Sequence, residues 1–150
     1  MRWGRGAVLA DHPGQRLVQA SWAGTAVFVA TAIPATLGVE ALRLAAAVVA
    51  LILFGLGIVV FLGAYGVAIV RSRTDAMGIG GLFFLAGSAP KLVQRHMMGS
   101  LLIQVLVGLI TAATRPFTAI AFGVLVAMFG LGLAGLWGAK FGKFESRYQQ

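Results

Sequence analysis

Five residues in the stretch RHMMGSLLIQVLVGLIT, residues 95–111, are of types that could do chemistry within an otherwise apolar run: His96, Ser100, Gln104, Gly108 and Thr111. At 100° per residue they fall within a sector of about 120° on one helical face, and Lys91 and Arg95 project from nearly the opposite one. Such a stripe avoids lipid and faces other helices or a cavity. Read as a pathway, it would pass an ion or proton along hydroxyl and amide groups. His96 at its mouth is the side-chain type that changes charge in the physiological range. Read as a seam, its polar groups hydrogen-bond between helices, at about 0.6 kcal/mol per contact on average, and Gly108 lets backbones approach. Intramembrane transport sites usually contain an ionisable residue. Gln104, the strongly polar side chain near the middle of this run, can neither hold nor release a proton. The seam is therefore the expected reading.

Catalytic templates fit poorly. The four acids, Asp11, Glu40, Asp75 and Glu145, fall in terminal segments or connections, with no two placed as an acid/base pair. His12 and His96 stand alone, without the spacing of metal ligands. With no cysteine, disulfide scaffolds, thiolate metal sites and thiol nucleophiles are excluded. Gly78 to Gly81, GIGG, has no strand before it and no Lys-Ser/Thr after it, so it is not a phosphate loop. No enzyme activity, metal or cofactor is expected.

The elements that must position the stripe follow from composition. Of 150 residues, 59% are hydrophobic and 11% charged, whereas an ordinary soluble domain is about 25% charged. A particle this small cannot hide so much apolar surface in one core; a bilayer can take it. The net charge of +8 does not point to nucleic acid, because the cations sit at the ends of apolar runs. A helix needs roughly 20 apolar residues to cross the hydrocarbon. Four spans qualify, at residues 17–39, 44–70, 97–114 and 117–137, leaving a connection at 71–96 and a basic tail at 138–150. The expected fold is an all-α, integral membrane four-helix bundle forming a single domain: two helical hairpins with an interfacial cytoplasmic connection.

Lys and Arg set the orientation. Arg2, Arg5, Arg16, Arg71, Arg73, Lys91, Arg95, Lys140, Lys143 and Arg147 fall on one side of such a bundle, and only Arg43 and Arg115 on the other. Both termini are thus expected in the cytoplasm and the protein in the cell membrane. The early arginines, apolar run and ATA ending at Ala32 also match a secretory signal peptide. The run continues past that point, so an uncleaved span is expected.

Local signals refine the layout. Pro34 should kink the first span or mark its last turn. Gly38 can close that helix, and Glu40 and Arg43 can pair across the outer turn at little energetic weight. Ser88 is placed to cap a helix with Pro90 at its first position, running unbroken to Thr114. In TRPFT, Pro116 suits the first turn of the fourth span. The segment GIGGLFFLAG reads as interfacial or re-entrant.

Partners for the stripe can be read from the same geometry. In the first span Ser21, Thr25, Ala32 and Thr36 share a sector of about 60°. In the fourth, Gly123, Ala127, Gly130, Ala134 and Gly138 form a ridge of small residues within about 80°, a small-xxx-small pattern for close helix contact. Trp137, with Phe141 and Phe144, reads as an aromatic belt, and Trp22 as its counterpart. Lys91, Arg95, Lys140, Lys143 and Arg147 are expected to contact anionic lipid headgroups.

The C-terminal half, from GSAPKLVQRHMM through Thr114-Arg115-Pro116-Phe117-Thr118 to MFGLGLAGLWGA, resembles small four-pass membrane proteins of high-GC Gram-positive bacteria. That resemblance implies a bacterial membrane location and no particular mechanism. Small multidrug transporters also have four spans, but the first span here lacks their membrane-embedded Glu. The expected function is that of a non-enzymatic subunit, assembly factor or scaffold of a membrane complex, partnered by the bilayer and by another membrane protein or a second copy. The alternative is a small oligomeric transporter or channel lined by the stripe.

Overall fold

The computed structural model describes residues 14–149; Arg2, Arg5, Asp11 and His12 lie outside them. The chain is 79% helix, and among the described residues there are no strands. Its helices are α1 (Gln15–Thr36), α2 (Ala41–Arg71), α3 (Ile79–Phe83), α4 (Lys91–Thr114) and α5 (Ala127–Phe141). A 3-10 segment, Ala119–Val126, leads into α5. Four helices are long and apolar enough to cross a membrane: α1, α2, α4 and the fourth span at Ala121–Phe141.

Their boundaries follow from backbone chemistry. Pro34 lies inside the last turn of α1. Gly38 then takes φ 111°, where a side chain would be strained, and Val39 N–H returns to the Pro34 carbonyl at 3.0 Å. α4 begins one residue later than its sequence implies. Pro90, which has no N–H to contribute to a helix, is the residue before its first turn, and Ser88 donates its hydroxyl to the Gly81 carbonyl instead of capping. Pro116 is likewise outside a helix. Phe117 beside it adopts φ 63°, which breaks the helical path, so helical backbone resumes only at Ala119, as a tighter 3-10 turn.

α5 is the central helix. Of the fourth span's apolar window 56% is buried, against 28% for each of the other three spans. α5 packs most extensively along α2, and also touches α1, α3 and α4. The core groups Val18 and Phe28 of α1, Leu53 of α2, Val93 and Met97 of α4, and Phe129, Leu133 and Trp137 of α5.

α2 and α5 cross backbone to backbone. A Cβ on Gly132 would sit 2.7 Å from the Gly57 carbonyl oxygen, and one on Gly57 would sit 2.6 Å from the Phe129 nitrogen. The outer face of α2 stays uncovered, with Leu44, Ile52, Val59 and Leu62 exposed. A hydrophobic surface of this kind is what lipid solvates. At 1.5 Å per residue α2 is about 46 Å long, more than the roughly 30 Å hydrocarbon thickness, so it must tilt or protrude if it spans.

Candidate functional site: the polar seam and the basic end

α4 turns its stripe inward. Ser100, Gln104 and Thr111 are fully buried and His96 is half-buried. The stripe meets a different partner at each level. The His96 ring lies edge-on to Trp22 of α1, with centroids 6.2 Å apart. One turn on, the Ser100 and Ser21 hydroxyls hydrogen-bond to each other. Gln104 bridges three helices: its Nε2 donates to Thr25 Oγ1 of α1 at 2.7 Å, and its Oε1 accepts the Gly130 N–H of α5 at 3.0 Å. Thr25 in turn donates to the Ser21 carbonyl at 2.8 Å. Gly108 lies against backbone; a Cβ there would be 2.8 Å from the Gly123 carbonyl oxygen. Thr111 donates to the Gly108 carbonyl at 2.9 Å, and its hydroxyl faces Gly123.

Ser100, Gln104 and Thr111 therefore all have hydrogen-bond partners, as burial demands. A buried amide left without partners costs roughly 1–3 kcal/mol, and Gln104 avoids that cost by using both of its ends. Thr36, at the far end of the same α1 sector, donates to the Ala32 carbonyl at 2.7 Å, and its own carbonyl accepts from Arg115 at 3.3 Å.

The ridge on the fourth span serves more than one neighbour. Gly123 lies against Thr111 and Phe28, and Gly130 against Gln104. Ala127 is half-buried and Ala134 fully buried. Gly138 abuts the Leu82 carbonyl of α3, so the ridge leaves α4 before it ends. Two further small residues lie off it: Gly132, at the α2 crossing, and Gly135, against Phe83 of α3. α5 is apolar all round and therefore carries no single preferred face. The missed signal lay in α2, where Ala46, Ala50, Leu53, Gly57 and Ala64 recur at steps of three, four and seven residues, a helix-packing period.

The basic residues gather at one end. Arg16 and Lys140 line a common cavity, and Lys143 N–H donates to the Ser88 carbonyl at 2.8 Å. Arg147 N–H donates to the Thr74 carbonyl at 2.9 Å, and its Nε to the Asp75 carbonyl at 3.2 Å. Lys91, Arg95, Lys140, Lys143 and Arg147 are all exposed. Arg71 is not. It pairs with Asp75 at 2.6 Å, donates to the Ala139 carbonyl at 3.2 Å and lies 5.3 Å over the Phe144 ring. It thus ties the end of α2 to the tail. The GIGGLFFLAG segment folds onto the same end, with Leu82 and Leu85 buried and Ile79 and Phe84 exposed. Arg43 and Arg115 lie at the other end, where Glu40 and Arg43 pair at 3.5 Å.

Trp137 is not exposed as a belt residue would be. It is 1% exposed, in the core beside Gly14 and Phe141. A long aromatic ring next to a glycine of an opposing segment fills the space that glycine leaves.

Comparison of the chain with protein-family models, curated proteins and solved structures gives no match.

Proposed function

We propose that this chain is a non-enzymatic, multi-pass protein of the cell membrane that acts as a subunit, assembly factor or scaffold of a membrane complex. The observation that carries this reading is the seam. The polar side chains of α4 that could have lined a path are instead spent on pairing α4 with α1 and α5. An ion or solute passing along them would need open space beside Gln104, whose amide is bonded at both ends to neighbouring helices.

In this reading the four spans form two helical hairpins joined by the connection at residues 71–96, and both termini are cytoplasmic. The concentration of cations at one end supports that orientation, since cytoplasmic segments carry the excess of Lys and Arg. The connection and tail then lie at the headgroup level, where Lys91, Arg95, Lys140, Lys143 and Arg147 attract anionic lipid at about 1 kcal/mol per residue. The uncovered outer faces are available to a partner, either another membrane protein or a second copy.

Affinity purification of the full chain in a gentle detergent tests the central claim. A stoichiometric membrane partner or a stable second copy is expected, and recovery only as a lone monomer overturns the scaffold reading. A reporter fused after Gln150 should be active only in the cytoplasm; activity outside reverses the orientation.

A further inference from the structure

Two cations far apart in sequence meet at one cavity on the polar end of the bundle. It has a volume of about 360 Å³ and is lined by Gly14, Gln15, Arg16, Leu17, Lys140 and Phe141. Arg16 and Lys140 are exposed. Among the described residues the ion pairs join Glu40 to Arg43 and Arg71 to Asp75, so no described carboxylate neutralises either cation. α1 starts at this cavity, with no side-chain cap and no acidic residue in its first turn. Its N-terminal partial positive charge therefore adds to theirs. The cavity wall is closely packed: Gly14 holds φ 77°, and a Cβ there would come within 2.5 Å of Trp137 Nε1 and 2.7 Å of the Phe141 ring.

Leu17 and Phe141 give the same cavity an apolar side, at the level where two spanning helices begin and end. A polar anion site with an apolar wall at a membrane boundary has the chemistry of a phospholipid headgroup with its first acyl carbons. A free phosphate would use only the cationic side. We propose that this cavity is a discrete binding site for an anionic glycerophospholipid. Arg16 and Lys140 hold the phosphoryl oxygens at the start of α1, and Leu17 and Phe141 receive the glycerol end of the chains. The Arg16 guanidinium fork suits two phosphoryl oxygens at once. Lys91 and Arg95 differ in kind: they project from α4 away from its seam and line none of this cavity, so they supply only diffuse attraction.

The proposal rests on the membrane-spanning reading, and the test separates the two. The full chain in a neutral maltoside detergent is titrated with phosphatidylglycerol, phosphatidylcholine and inorganic phosphate, and bound species are read by native mass spectrometry. Phosphatidylglycerol should bind with one preferred site. The Arg16→Gln/Lys140→Gln double variant should raise its dissociation constant at least fivefold. Lys91→Gln/Arg95→Gln, which removes the same charge, should change it less than twofold. Helix content by circular dichroism confirms that both variants fold. Equal losses in the two variants, equal binding of phosphatidylcholine, or displacement of the lipid by millimolar phosphate would each overturn the site. Release of the chain from membranes by alkaline carbonate would instead overturn the membrane-spanning reading itself.

Discussion

Replacing Gly132 by Ala is the most demanding test of the α2–α5 crossing. The added Cβ would stand 2.7 Å from the Gly57 carbonyl oxygen, where a carbon and a carbonyl oxygen normally keep about 3.3 Å. The obstacle is backbone, so no rotamer change relieves it, and α2 and α5 must part by about 0.6 Å. A gap of that size forfeits a quarter to a half of each van der Waals well along the crossing. Overpacking of this kind costs about 1–3 kcal/mol, so about 2 kcal/mol is expected. Gly57→Ala, whose Cβ would stand 2.6 Å from the Phe129 nitrogen, should cost a similar amount. Both changes ask for the same separation, so the double variant should cost about 2 kcal/mol, well short of the roughly 4 kcal/mol that independent sites would add up to. Gly55, Gly63 and Gly66 of the same helix have nothing within 4 Å of such a Cβ. Alanine there should be neutral or stabilise by up to about 1 kcal/mol through helix propensity. Reversible unfolding in bicelles with increasing dodecyl sulfate, followed by far-ultraviolet circular dichroism, measures all of these. A cost for Gly63→Ala equal to that of Gly132→Ala, or full additivity of the two crossing variants, would refute a backbone-on-backbone contact at this crossing.

The seam and the basic end make their own predictions. Gln104→Leu removes two interhelical hydrogen bonds and should cost about 1–3 kcal/mol in the same unfolding assay, because the buried Gly130 N–H loses its side-chain acceptor while Thr25 keeps the Ser21 carbonyl. Reconstituted into vesicles, that variant should leave ion and proton leakage at the level of the parent chain; a leak present in the parent and abolished in the variant would favour a pathway. Asp75→Ala frees Arg71 from its carboxylate and should loosen the tail, raising the rate of tryptic cleavage at Lys143 and Arg147 severalfold. Unchanged cleavage would mean that the backbone bonds from Ala76 to Glu145 and from Arg147 to Thr74 hold the tail without it.

Periodicity by itself makes the α4 stripe legible in the sequence, because His96, Ser100, Gln104, Gly108 and Thr111 stand out against Leu, Ile and Val on the same helix. Four helices of spanning length are legible from the length of their apolar runs. The α5 neighbours are not. When a helix is small and apolar on every side, as at Gly130, Gly132 and Gly135, its sequence has no contrast from which to choose a face. Arg71 is readable as one more boundary cation, but its grip on Asp75, the Ala139 carbonyl and Phe144 depends on chain segments that only tertiary folding brings together. Trp137 misleads for the opposite reason: a Trp near a helix end is as compatible with a water boundary as with a core, and only the opposing Gly14 decides between them. Ser88 bonds a carbonyl seven residues back rather than the helix start it precedes, a competition that local spacing does not expose.

The central position of α5 also bears on how the bundle is made. It is the last of the four spans to leave the ribosome, yet it is the helix whose surface the others cover most. Until it arrives, Gly57 of α2 has no facing backbone and Gln104 of α4 lacks one of its two anchors. The three earlier helices therefore remain a partly open set until α5 packs among them. A chain that ends before Phe117 would leave that opening, with one end of the Gln104 amide unpaired, on its surface.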